Sequence, residues 1–156
     1  MIARWPVYAF ALLTVTAAAL AGEPAGKTPV AQVQSPKDGD RIPRKDQDLT
    51  CPEGHPCTKI YVDGRVEPGY WPFLAVAPVS APGPRIWVQP PITGVKQDGR
   101  FTGMVYLGTE REGVGEKFNI FVLAHKDKGR LREGEILTAI PGDCVASEPV
   151  TVLRTR

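Results

Sequence analysis

The sequence lacks an excess of charge of either sign: Lys and Arg number 19 against 17 Asp and Glu, a formal net charge of +2. A dedicated nucleic-acid binder carries a strong basic footprint, so that class is set aside. Histidine is scarce, with only His55 and His125, and the chain has no G-x-S-x-G elbow, no H-E-x-x-H pair and no Walker-type phosphate loop. The usual signatures of hydrolytic, zinc-protease and nucleotide chemistry are therefore missing. The segment 108–115 is rich in Gly, but Glu110, Glu112 and Glu116 around it would repel phosphate. No stretch of ten or more residues after the N-terminus repeats apolar residues at i, i+3, i+4 and i+7, and 16 Pro residues in 156 interrupt the chain too often for long helices. Hydrophobic residues still make up 42 %, which is enough for a packed core and too many for wholesale disorder.

What is present begins with an export signal. Arg4 is the one charge at the N-terminus, residues 8–20 are apolar apart from two Thr, and Ala19-Leu20-Ala21 puts small residues at both positions that a signal peptidase reads. Residues 1–21 are thus expected to be a cleaved signal peptide, because the apolar run is short for a spanning helix of about 20 residues. Residues 22–29, GEPAGKTP, read as a flexible tether, and 30–156 as one folded domain. The location this predicts is periplasmic or secreted, with no transmembrane segment after cleavage.

From Val30 onward short apolar runs alternate with Gly, Pro and Asp. Phe101, Gly103, Val105 and Leu107 share one face of 100–107, and Phe118, Ile120, Val122 and Ala124 share one face of 117–125. Strands are expected at 30–34, 59–66, 71–78, 85–89, 100–107, 117–125 and 150–154, with a further short one near 135–140. About seven short strands separated by turn signals, without helices, predict an all-β chain folded as an antiparallel β-sandwich. The succession SPKDGD (35–40), KIYVDGRV (59–66), WPFLAVAPV (71–79), RIWVQPPI (85–92), DGRFTGMVYLG (98–108), EKFNIFVLA (116–124) and PVTVLR (149–154) resembles bacterial secreted immunoglobulin-like or fibronectin-type modules. The resemblance covers most of 30–155 and implies an immunoglobulin-like fold. One departure is the missing inter-sheet disulfide, since residues 118–125 contain no Cys. Trp71 and Trp87 are the candidates for a core Trp.

Three cysteines, Cys51, Cys57 and Cys144, are an odd number for an exported chain. A Cys51–Cys57 ring would contribute about 2.4 kcal/mol by loop entropy and a link to Cys144 about 4.6 kcal/mol. In the expected strand order, however, Cys51 and Cys57 lie at one end of the sandwich and Cys144 at the other, beyond the reach of about 7 Å between Cα atoms. The expectation is a Cys51–Cys57 disulfide, with Cys144 free or linking two chains as a covalent dimer. The competing zinc set of Cys51, His55, Cys57 and Cys144 has spacing too cramped for the usual pairs, so no metal and no cofactor are expected.

Function is sought in the loops. Residues 67–70, 90–99 and 126–148 should emerge at one end, the end that carries the binding loops of variable immunoglobulin domains. The last begins with a basic cluster, and Lys126, Lys128, Arg130 and Arg132 together with Tyr70 and Trp71 form the candidate binding surface. Such a surface suits an acidic glycan or a protein of the cell envelope. The expected function is therefore an exported, non-catalytic binding module. The alternative is a small carbohydrate-active enzyme of the envelope using the loop carboxylates Glu67 and Asp98.

Overall fold

A computed structural model of the protein describes residues 29–43, 57–108 and 113–155. Among these the chain forms strands and no helix: β1 (Ala31–Ser35), β2 (Arg41–Ile42), β3 (Thr58–Val66), β4 (Trp71–Pro78), β5 (Ile86–Val88), β6 (Arg100–Leu107), β7 (Lys117–His125), β8 (Ile136–Leu137), β9 (Val145–Ala146) and β10 (Val150–Arg154). The expected bounds coincide with those of β4, β6, β7 and β10, and differ by a residue at one or both ends for β1, β3 and β5. The short strand expected near 135–140 is the two-residue β8. β2 and β9 are additions, each too short to leave a periodic signal. The expected signal peptide and the tether up to residue 28 lie outside the described residues, as do Cys51 and His55.

The strands divide into a three-stranded sheet in the order β1-β3-β6 and a seven-stranded sheet in the order β2-β10-β7-β4-β5-β8, with β9 also paired to β7. All pairings are antiparallel except β2 with β10. β9 and β10 run along the same partner, one pairing Leu123 and Ala124 and the other Lys117–Ile120. Between them the chain kinks at Ser147, whose hydroxyl accepts the Val122 N–H at 3.0 Å and donates to the Glu148 carbonyl at 3.0 Å. A side chain thereby preserves the polar pairing of a buried strand where the ladder alone would falter.

The sheets enclose a core by simple alternation in the smaller one. Val62 and Val66 of β3 and Phe101, Val105 and Leu107 of β6 point inward against Leu74, Val76, Phe118, Ile120, Val122 and Val152 of the larger sheet. Between them, Tyr61, Asp63, Arg65, Thr102 and Arg100 point to solvent. Gly64 and Gly103 occupy inward positions where no Cβ fits. A methyl at Gly64 would meet the Phe101 ring at 2.4 Å, and one at Gly103 would meet Leu74 Cδ1 at 2.4 Å.

The larger sheet has a second core on its outer face. Phe73 and Ala75 of β4, Ile86 and Val88 of β5 and Phe121 and Leu123 of β7 are buried with Leu131 and Leu137. The latter two come from the segment 126–148, expected to be a binding loop with at most one short strand near 135–140. Instead residues 126–144 form a strap across the sheet, held by β8 on β5 and by paired backbone bonds, Val88 N–H to the Glu135 carbonyl at 3.0 Å and Gly134 N–H to the Val88 carbonyl at 3.0 Å. The physical reason lies in the side chains opposite: without a cover, Phe73, Phe121 and Leu123 would stand in water, and each large apolar side chain gains about 1.5–3 kcal/mol from burial.

Neither Trp fills the inter-sheet core. Trp71 is half-buried against the outer-face core. Trp87 pairs with Val76 and faces the gap between the sheets, but stays half-buried because the three-stranded sheet ends at β6.

Candidate functional site

At the end where β3 passes into β4, a tight turn carries two aromatic residues into the wall of a recess. Tyr70 N–H donates to the Glu67 carbonyl at 3.1 Å, and Gly69 takes φ +91° between them. That conformation favours Gly. Tyr70 then packs on the inter-sheet core and Trp71 on the outer-face core, so the recess opens over the seam between the two. Opposite stands the turn before β6, closed by Gly99 N–H to the Lys96 carbonyl at 2.8 Å and tied to β3 by Val66 N–H to the Gly99 carbonyl at 2.9 Å. Gly99 has φ +81°, and a Cβ there would lie 1.9 Å from the Val66 carbonyl oxygen, so the wall requires Gly.

The recess is open and holds about 340 Å³; its walls include Glu67, Tyr70, Trp71, Val95, Lys96 and Lys126. His125 stands opposite Trp71 in the β4–β7 register, which delivers the next residue, Lys126, to the rim. Its Nζ lies 5.8 Å from the centroid of the Tyr70 ring, within the range where an ammonium and an aromatic face attract. Two lysines against one glutamate leave the recess cationic over an apolar floor. Such a site favours an anionic group attached to a body with an apolar face.

Of the six expected binding residues, Tyr70, Trp71 and Lys126 meet in this recess; Lys128, Arg130 and Arg132 do not line it. Lys128 stays exposed on the Asp127–Arg130 turn, where Asp127 Oδ1 accepts the Gly129 N–H at 2.8 Å. Arg130 is drawn onto the strap by Asp143, with Nε to Oδ2 at 2.7 Å and Nη2 to Oδ1 at 3.2 Å. Hydrogen bonding to this guanidinium, outweighing partial desolvation, holds the Asp143 carboxyl below its ordinary pKa. The same bond, with the carboxylate's charge, raises the pKa of Arg130. Arg132 is exposed, and its backbone N–H donates to Glu135 Oε2 at 3.1 Å. Lys96, Val95 and Gln97 were not among the expected binding residues. The signal that pointed to them was the Gln97-Asp98-Gly99 turn before β6, in a loop expected at the same end.

Around Asp143 the strap gathers three reactive residue types. His125 Nδ1 lies 2.9 Å from the Asp127 backbone N–H, and its Nε2 lies 3.6 Å from Asp143 Oδ2. Cys144 is a free, half-buried thiol. Burial first, then the neighbouring Asp143 charge, push its pKa up. A nucleophilic cysteine is favoured by the opposite shift.

The two loop carboxylates also differ. Glu67 lines the recess. Asp98 closes its own turn, its oxygens accepting the Arg100 N–H at 3.1 Å and Arg100 Nε at 2.6 Å. These bonds lower its pKa, the backbone bond most. A glycosidase acid needs a raised value, and Asp98 moves the other way.

Cys57 is buried at the head of β3, where Thr58 pairs with Leu107 at the end away from the recess. Cys144 precedes Val145, which pairs with Ala124 at the recess end. The two are therefore too far apart for a common disulfide or a common metal. The partner expected for Cys57, Cys51, lies outside the described residues.

Comparisons with models of protein families, with curated proteins and with solved structures find no match for this chain. What the fold defines is the class: an all-β protein of two sheets with antiparallel strands.

Proposed function

We propose that the chain is an exported, non-catalytic immunoglobulin-like module that recognises a macromolecule of the cell envelope or its surroundings at the Tyr70–Lys126 recess. The immunoglobulin-like part of the reading is supported by strand order. β1-β3-β6 against β10-β7-β4-β5 follows the Greek-key order A-B-E against G-F-C-C′. Export is supported by the sequence of residues 1–21. Recognition rests on one observation above all, the Lys126 ammonium over the Tyr70 ring in an open recess of about 340 Å³. A ligand with a carboxylate or sulfate on an apolar body would answer both features. The carbohydrate-active alternative loses ground because Asp98 turns both oxygens to Arg100 and does not line the recess that holds Glu67. Cys144 packs against the outer-face core beneath the strap, and its half-buried thiol remains the candidate link of a covalent dimer. A Cys51–Cys57 disulfide, expected of an oxidising compartment, completes the reading.

The test compares the exported wild type with Lys126→Glu and Tyr70→Ala for retention by isolated envelope polymers and by envelope proteins. Each variant should weaken retention by about tenfold or more, with an unchanged melting temperature. Equal retention by all three proteins, or turnover of the polymer by the wild type, would overturn the proposal.

A further inference from the structure

The outer faces of the two sheets have different fates. That of the larger sheet is closed by the strap, whereas that of the β1-β3-β6 sheet presents an ordered array of side chains to solvent. Its rows follow from the β3–β6 register: Lys59 beside Tyr106, Tyr61 beside Met104, Asp63 beside Thr102, and Arg65 between Gln32 and Arg100. Tyr61 is 65 % exposed, the largest value among the exposed hydrophobic side chains, and Lys59 Nζ stands 5.6 Å from its ring centroid. Among the described residues the acidic side chains near this face are hydrogen-bonded, and Asp63, whose partner is a neutral hydroxyl, keeps its charge between the two cations. Asp63 accepts from Thr102 Oγ1 at 2.6 Å and Asp98 binds Arg100, while Arg65 Nε donates to the Asp98 carbonyl at 3.1 Å. Lys59 and Arg65 therefore mark the two cationic ends of a strip, six residues apart along β3 or about 20 Å.

We propose that this sheet face is a track for an extended acidic polysaccharide, lying along β3 with sugar rings against Tyr61 and Met104 and carboxylates toward Lys59 and Arg65. The chemistry of the face selects this occupant. Aromatic rings match the apolar C–H faces of sugars, the Asp63–Thr102 and Gln32 groups match hydroxyls, and the strip is positive at both ends. A protein partner would need a desolvated central pocket for its anchors, which a flat, polar sheet face does not offer. A duplex nucleic acid carries one charge per about 1.7 Å of its axis, a density that two cations about 20 Å apart do not match, whereas the carboxylates of a polysaccharide are spaced by whole sugar rings. The track is independent of the recess, which lies around the corner at the end of the sandwich.

The experiment is affinity electrophoresis and calorimetry of the full exported chain against sodium polygalacturonate, with dextran as the neutral polymer and oligo-dT as the competing polyanion. The expected result is retention by polygalacturonate that falls by about tenfold in Tyr61→Ala and falls further as salt rises, with none by dextran. Lys59→Glu should weaken it similarly, whereas Lys126→Glu should leave most of it intact. Both face positions are on the surface, and unchanged melting temperatures separate lost binding from lost folding. The proposal is overturned if polygalacturonate does not retain the wild type, if Tyr61→Ala and Lys59→Glu bind as well as it does, or if oligo-dT binds more tightly than polygalacturonate. Loss in Lys126→Glu alone would assign the polymer to the recess and likewise overturn the track.

Discussion

Val122 and Leu123 are neighbours on β7, both fully buried, and they belong to different cores. The first faces the partner sheet and the second faces the strap. The inter-sheet core is assembled from long strands in regular register, and its members are spread over both sheets. The outer-face core depends on a strap that buries only Leu131 and Leu137 fully and Cys144 in part, and leaves Ile136 and Ile140 exposed. One core can therefore open without the other, and local openings of this kind set which parts of a protein move.

That comparison can be broken experimentally at its strongest point first. Leu74→Ala empties a fully buried site between the sheets and should cost about 3–5 kcal/mol, read as a fall in the denaturation midpoint of the whole domain. Leu137→Ala, at the margin of the outer core, should cost less, about 2–3 kcal/mol. Its effect should be local: amide exchange at Val88 and Gly134 should accelerate while that at Val122 changes little.

Smaller still is the contribution of the Arg130–Asp143 pair, which is exposed to solvent. Asp143 has a folded pKa below its unfolded value of 3.8, so what it adds to stability is complete above that value and is lost as the pH falls through the lower folded one. Strap protection should stay constant from neutral pH down to about pH 4 and decline below it. Asp143→Asn should remove that acid-dependent step, as judged by proteolysis at the strap across a pH series. The least perturbing change is Lys126→Glu, expected to leave stability unchanged while abolishing capture at the recess. Any loss of stability there would mean that Lys126 supports the end turns rather than a ligand.

The two-sheet architecture was legible because β3 and β6 alternate and the longer strands are bounded by turns. β4 and β10 have the same sharp limits, and their bounds were legible to the residue. β2 and β9 were not, since two residues have no period and their pairing is set by the surrounding fold. The packing of the strap is not legible in its own residues, because Leu131 stands alone among Arg130, Arg132 and Glu133 and the short apolar run around Leu137 has no helical or strand period. The need for a cover is written in the strands opposite. WPFLAVAP and KFNIFVLAH are nearly continuous apolar runs, the pattern of strands buried on both faces rather than one. At the candidate site, the meeting of 67–70, 90–99 and Lys126 at one end followed from topology. The diversion of Arg130 did not, because Asp143 lies thirteen residues away in a segment without periodicity.

Residues 126–144 are a packed cover, and of the basic cluster only Lys126 lines the recess. Hydrogen exchange at the Val88 and Gly134 amides, which bind Glu135 and Val88 across the strap, tests this without knowledge of any ligand. Protection approaching that of the Val122 amide is the predicted result. Exchange at the rate of an unstructured loop would contradict it and return Lys128, Arg130 and Arg132 to the binding surface.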